Sequence, residues 1–224
     1  MSSEMVYHSK SAADVEVFTE RIVADEELAP FRDQSADLII SSLSAHWIND
    51  LPKWFARCFS ILRPDCPLIG AVLAADTLHE LRVSIQLAET ERLGGIGSHI
   101  SPFVQPHDIG SLMHHAGFEM ITLDMDEIEV INYPDVFSLL FDLQCMGESN
   151  ATRNRSHLRT DVIVAAEAVY KVMFAKDDGS YPATFQVLSF IGWRPGPNSP
   201  KLAKRGSQDV SFKDVAKIIE GFSH

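Results

Sequence analysis

Hydrophobic and polar positions follow a pattern that predicts a strand, a helix and a second strand in the first third of the chain. Residues 36–42 form a short, nearly continuous apolar run, typical of a strand buried on both faces of a parallel sheet. The segment that follows has apolar residues at helical spacing, with Asp50 as its expected cap and Pro64 at its end. Residues 68–74 are again apolar, so residues 36–74 are predicted to form one βαβ unit.

The rest of the chain shows the same mixture of helical and strand-like periods. Asp76 is the expected cap of the next helix, and the glycines of residues 94–97 are expected to end it. We predict one domain over residues 1–195, followed by a mobile linker and a short helix over residues 196–224. Further helices are predicted at 2–13, 77–92, 108–116, 135–146, 161–174 and 212–219, and further strands at 15–23, 118–123 and 184–193.

Charge and cysteine content exclude several classes of function. The net charge of −12 would repel a phosphate backbone, so nucleic acid is not an expected partner. Three widely spaced cysteines without a C-x-x-C pair indicate neither a disulfide framework nor a zinc site. No apolar run reaches the roughly 18–20 residues that a membrane span needs. Residues 1–10 have neither signal-peptide nor transit-peptide character, so targeting information is expected upstream of Met1, if there is any.

Polar residues near strand ends are candidates for ligand binding. Asp25 and Glu26 follow the predicted strand 15–23, where they are either ligand-binding carboxylates or a solvated acidic turn. His46 and Trp47 follow the carboxyl end of strand 36–42, the edge at which open α/β sheets bind ligands, although such a pair also occurs in ordinary packing. Arg82 could bind a substrate carboxylate or carbonyl, or it could be a solvated surface residue.

Other polar clusters give weaker signals. The histidines lack the spacing of a metal site, and His114 and His115 are about 100° apart on a helix, so no metal is predicted. The glycine-rich residues 94–97 follow a helix instead of a strand, which favours a flexible lid over a phosphate loop. Glu148 and Asn150 either line a substrate site or belong to a helix C-terminal cap.

Several longer runs carry a family resemblance. The runs are Ser-Ser-Leu-Ser-Ala-His-Trp-Ile-Asn-Asp-Leu-Pro at 41–52 and the segments 77–82, 87–92, 99–103, 146–150 and 191–193. They resemble the mitochondrial assembly factors of respiratory complex I within the class I S-adenosylmethionine-dependent methyltransferase superfamily, over roughly residues 22–195. The bacterial malonyl-carrier-protein methyltransferases of biotin synthesis are similar to the chain to a lesser degree.

The resemblance implies a fold, a cofactor and a partner. The fold would be α/β, with the Rossmann-like sheet of class I methyltransferases in strand order 3-2-1-4-5-7-6 and with inserted helices. The cofactor would be S-adenosylmethionine, with an acidic residue at its adenine. The protein would hydroxylate an arginine of a core complex I subunit, on the matrix face of the mitochondrial inner membrane. Asp25, Glu26, Ser42 and Leu43 would lie at the cofactor, and His46, Trp47, Arg82, Glu148 and Asn150 toward the substrate; no catalytic residue is assigned.

One departure from the family pattern concerns glycine. The family's first strand ends in a glycine-rich turn that lets the backbone approach the cofactor, whereas the first glycine here is Gly70. Residues 1–5 resemble those that follow the ribose-binding acid, so the chain is expected to lack family strands one and two and to expose strand 36–42 as a hydrophobic edge. Two alternatives therefore stay open: a non-catalytic assembly or scaffold protein, and a carboxyl methyltransferase of the biotin-synthesis type.

Overall fold

A four-stranded mixed sheet forms the centre of the computed structural model, which describes residues 20–97, 99–101, 103–148, 157–200 and 206. The strands are β1 (Ile39–Ser42), β2 (Pro67–Leu73), β3 (Glu119–Tyr133) and β4 (Tyr181–Trp193). Their order across the sheet is β1-β2-β4-β3. β1 and β2 are parallel, whereas β4 is antiparallel to both of its neighbours.

Five α-helices surround this sheet. They are α1 (Leu51–Ile61), α2 (His79–Leu93), α3 (Pro106–His115), α4 (Val136–Met146) and α5 (Thr160–Met173). A short 3₁₀ helix, Ala45–Trp47, follows β1. None of the helices in the described ranges is long and apolar enough to cross a membrane.

The predicted βαβ unit is confirmed. α1 connects the parallel strands β1 and β2, and the Asp50 carboxylate accepts a hydrogen bond from the backbone N–H of Lys53 at 3.1 Å. This capping bond satisfies one of the free N–H groups of the first turn. The unit thereby fixes the carboxyl end of β1, from which the 3₁₀ helix starts.

β1 lies at one edge of the described sheet, as the family resemblance implied, and it is not buried on both faces as its apolar pattern predicted. Ile40 is 68% exposed there, and Leu38 and Leu43 are also exposed. Of the predicted strand 15–23, residues 20–23 are not in a strand, and residues 15–19 lie outside the described part of the chain. The predicted helices 2–13 and 212–219 also fall outside it.

The start of α2 differs from the prediction. Asp76 does not cap this helix; Leu78 precedes it in a left-handed conformation, with φ of 54°, and no side chain caps it. The cause is a tie to β4, because Leu78 donates its N–H to the carbonyl of Thr184 and the Thr77 hydroxyl donates to that of Gln186. The predicted end is confirmed, since Gly94 adopts the left-handed conformation after the last turn.

Two hydrophobic cores pack against the sheet. In the first core, α1 and α3 pack on β2 and on the second half of β4 through residues such as Phe55, Met113 and Phe190. In the second core, α2, α4 and α5 pack around the first half of β4, with Leu139 and Tyr170 fully buried. β4 thus belongs to both cores.

The described part of the predicted linker contacts the domain. The Asp65 carboxylate accepts hydrogen bonds from the backbone N–H of Asn198 at 3.2 Å and from the Ser199 hydroxyl at 3.0 Å. Arg194 also donates to the carbonyl of Leu62 at 2.7 Å and lies over the ring of Phe59. Residues 194–199 are therefore held against the C-terminal end of α1 and the loop that follows it.

Candidate functional site

A groove of about 530 Å³ runs along the exposed edge of β1. Three of the four predicted cofactor residues line it, namely Asp25, Glu26 and Ser42. Leu43, the fourth, follows them in a left-handed conformation, with φ of 47°, and its N–H donates to the carbonyl of Ala71 at 2.9 Å. The structure therefore brings the predicted cofactor residues to one edge of the sheet.

The acidic turn beside this groove is fixed by its own hydrogen bonds. The Asp25 side chain accepts from the N–H of Glu27 at 3.0 Å, and Glu27 in turn accepts from the backbone N–H and side-chain amide of Asn49 at 2.6 and 2.7 Å. Asp25 and Glu26 are the only charged residues among the described lining of the groove. Two carboxylates on one wall favour a ligand that carries positive charge.

His46 is the central residue of the substrate side. The short helix after β1 places its side chain, which is 2% exposed, within 2.9 Å of the Glu148 carboxylate through Nε2. The ring packs against Trp47 and, edge to face, against Phe103. Nδ1 is buried and has no hydrogen-bond partner among the described residues. His46 is therefore both packed and paired, while Trp47 is 40% exposed beside it.

Glu148 also lines a second opening, which we call the helical cavity. This cavity of about 400 Å³ is bounded by α2, α4, α5 and the segment around Ile100. Its walls are mainly leucine, isoleucine and phenylalanine, and its polar lining consists of His99, Gln144, Glu148 and His157. A largely apolar cavity with a few polar groups is the usual form of a small-ligand site.

A buried carboxylate holds the loop that borders the helical cavity. Glu89, 4% exposed on α2, contacts the His99 ring at 2.6 Å and accepts the N–H of Gly97 at 2.6 Å. The glycine-rich segment predicted as a flexible lid is therefore anchored at its end to α2. Sequence reasoning missed Glu89 because it is charged, although its position four residues after Ile85 and eight after Leu81 places it on the buried face of α2.

Arg82 is half-buried and is not paired with a carboxylate at hydrogen-bond distance in the described structure. Nη2 donates to the carbonyls of Ala75, Thr77 and Ser101 at 3.3–3.5 Å. Burial lowers the pKa of its guanidinium, and the charge of Asp76 opposes this effect. Arg82 therefore joins α2 to the segment after His99, and substrate binding and a partly solvated surface position both stay predictions for it.

The structure leaves one predicted site residue, Asn150, undescribed. Asn150 lies outside the described residues, so its proposed location beside Glu148 stays a prediction. No group of three or more possible metal ligands occurs in the described ranges.

Comparison with known proteins shows what the chain is similar to. A sequence model described as a methyltransferase domain matches residues 1–70. "Arginine-hydroxylase NDUFAF5, mitochondrial" of Mus musculus is 48% identical over 96% of the chain, and the protein of that name in Danio rerio is 51% identical over 88%. The chain is a close homologue of these NDUFAF5 proteins. It spans 63% and 61% of the lengths of these two relatives, respectively.

More distant comparisons show the same methyltransferase-like fold. A malonyl-[acyl-carrier protein] O-methyltransferase of Nitrosospira multiformis is 32% identical over 86% of the chain and is itself covered over 60%. A crystal structure of a protein from Bacillus halodurans assigned as a methyltransferase superposes with a TM-score of 0.50 at 15% identity, covering 79% of this chain and 78% of that one. The order β1-β2-β4-β3 corresponds to 4-5-7-6 of the class I order, which confirms the predicted fold class.

Proposed function

We propose that this chain carries the substrate side of an enzyme that hydroxylates an arginine in a core subunit of respiratory complex I. The observation that carries the proposal is the pairing of His46 with Glu148, which joins the carboxyl end of β1 to the helical cavity. The relatives' name, arginine-hydroxylase, supports the reaction, and their mitochondrial label supports a mitochondrial location. By the family resemblance, the protein would act at the matrix face of the inner membrane.

S-adenosylmethionine is the proposed cofactor, and the residues of the groove fit one end of it. Asp25 or Glu26 would accept hydrogen bonds from the adenine amino group, and the acidic lining suits a ligand with positive charge. Residues 1–224 contain no glycine before Gly70, so a glycine turn that would receive the methionine end is not among them. When bound, this cofactor supplies a methyl group activated by a sulfonium. The chain's own residues would bind and orient ligands, and no covalent step is assigned to them.

Calorimetric titration of S-adenosylmethionine tests the cofactor part of the proposal. We expect binding by a chain extended upstream through the family's first two strands, and none by residues 1–224 alone. In the extended chain, Asp25→Asn together with Glu26→Gln should weaken binding by about tenfold, because charged hydrogen bonds to the ligand are lost. Glu119→Gln, on the exposed first residue of β3, is the matched control. Binding of equal strength by both chains would overturn the assigned loss of the cofactor's methionine site.

A non-catalytic assembly role is the second candidate function. The contacts of His46 favour it, because a ring packed against Trp47 and Phe103 and paired with Glu148 also suits a purely structural role. The two functions differ in cells that depend on the full-length protein and express its His46→Ala form. If the protein is an enzyme, mass spectrometry should show that the substrate arginine loses its added oxygen. If it is a non-catalytic scaffold, the mass of that arginine and the assembly of complex I should both be unchanged by the substitution. Carboxyl methylation is a third candidate function, supported by the 32% identity to a malonyl-carrier-protein methyltransferase. It also requires the S-adenosylmethionine binding that the titration measures.

A further inference from the structure

We propose that the helical cavity binds the side chain of the substrate arginine, with Glu148 at the guanidinium and the apolar walls around the methylene groups. This inference rests on the proposed function for its substrate class. It assigns a location that neither the sequence pattern nor the names of the relatives specify. The cavity's size, about 400 Å³, lies within the range of small-ligand sites.

The charge of the cavity selects a cation. Glu148 is the one carboxylate of its described lining, which contains no lysine or arginine. The Glu148 side chain is 13% exposed, so a partner that reaches it is largely desolvated. A carboxylate in such surroundings is costly unless a cation and hydrogen bonds satisfy it, and an arginine head group supplies both.

His46 positions this carboxylate. A carboxylate only accepts hydrogen bonds, so the short contact between Nε2 and Oε1 requires the proton on Nε2. Oε1 is thereby occupied, and no hydrogen bond joins Oε2 to another described residue. His46 leaves one oxygen of Glu148 available and fixes the direction in which it accepts.

The shape and further lining of the cavity favour arginine over lysine. Leu81, Ile85 and Leu140 form walls against which a methylene chain can pack while its charged head reaches Glu148. The Gln144 amide lines the same cavity and offers a second acceptor. A planar guanidinium has five donors and can reach two separated acceptors, whereas an ammonium is a compact point charge. Phe137 and Phe141 are exposed at the rim, where they would contact the polypeptide that carries the arginine.

Binding of small amide derivatives tests the proposal without cofactor or turnover. The probes are N-acetyl-arginine methylamide, the corresponding citrulline compound, which is a neutral isostere, and the corresponding lysine compound. We expect NMR shift changes around Leu81, Leu140 and Glu148 with the arginine probe, and about tenfold weaker binding of the other two. Glu148→Gln should weaken arginine binding about tenfold and leave citrulline binding unchanged. Glu91→Gln, on the exposed face of α2, is the matched control.

A second variant keeps the test informative if Glu148→Gln unfolds. Leu140→Trp fills the cavity and retains the charge, so it should weaken all three probes alike. No measurable arginine binding, equal binding of arginine and citrulline, or shift changes confined to another surface would each overturn the proposal. Arginine binding without hydroxylation in cells would contradict only the proposed function. Hydroxylation that persists with Glu148→Gln in the full-length protein would contradict only the cavity.

Discussion

At the scale of single residues, burial determines which cysteine can react. Cys58 is 3% exposed on α1, and burial raises the pKa of its thiol to about 12, with the Arg57 charge opposing. The thiolate is the reactive form, so Cys58 should resist alkylation at pH 8 while the exposed Cys145 is modified. Mass spectrometry after brief treatment with iodoacetamide measures both sites. Equal modification of the two in the native chain would contradict the buried position of Cys58.

The raised pKa of the Cys58 thiol should lower the stability of the protein at high pH. The unfolded thiol ionises near its ordinary pKa of 9.0, whereas the folded thiol stays protonated to about 12. Between these values the unfolded state binds fewer protons, so the Cys58 contribution is present below pH 9 and decreases as the pH rises. Urea unfolding at pH 8 and pH 10.5 should show a smaller loss of unfolding free energy in Cys58→Ala than in the parent chain. Cys145→Ala is the comparison variant.

Residues of the candidate site could be predicted from the sequence, but the contacts between them could not. The family resemblance placed His46 and Glu148 on one side of the site, but their hydrogen bond joins residues 102 positions apart. Such a contact depends on how α4 ends relative to β1, and no local pattern encodes it. For Arg82, the sequence showed correctly that no carboxylate lies three or four positions away on α2. It did not show the carbonyl partners of Arg82, which come from the bend before α2 and from Ser101.

At the scale of elements, Gly94 fixes the end of α2. Its φ is +68°, and a Cβ added there would meet no atom within 4 Å, so strain of the left-handed conformation is the whole cost of a side chain. Gly94→Ala should lower the free energy of unfolding by about 1–2 kcal/mol. Gly95→Ala, next in sequence, lacks a positive φ and is equally open, so it should leave stability unchanged or slightly raised. Urea unfolding of both variants tests this difference, and equal losses would contradict it.

Elements defined by local signals were predicted well, and those defined by distant contacts were not. α1 has an Asp cap, an early proline and a helical apolar period, and all three are local. β3 was predicted over residues 118–123 but extends from Glu119 to Tyr133. Its second half alternates acidic and apolar residues and becomes a strand by pairing with β4, for example Ile128 with Phe185. The start of α2 likewise depends on Thr184 and Gln186, which follow about a hundred residues later in the chain.

At the scale of the whole molecule, β4 connects the two cores. Leu188 and Phe190 belong to the core beneath α1 and α3, whereas Tyr181 and Ala183 belong to the core formed by α2, α4 and α5. β4 also pairs with β2 and β3 along its length. One continuous strand therefore contributes to both cores, and disruption of either core should loosen the other.

This connection predicts a single unfolding transition. Leu62 and Leu139 are both 0% exposed, one in each core, so Leu62→Ala and Leu139→Ala should each lower the free energy of unfolding by about 2–5 kcal/mol. Because β4 couples the cores, each variant should shift the whole transition, measured by far-ultraviolet circular dichroism and by tryptophan fluorescence. Leu87→Ala, 46% exposed on α2, should change it by less than about 0.5 kcal/mol. Two separate transitions, with Leu139→Ala moving only one of them, would show that the cavity-forming helices unfold independently of the sheet.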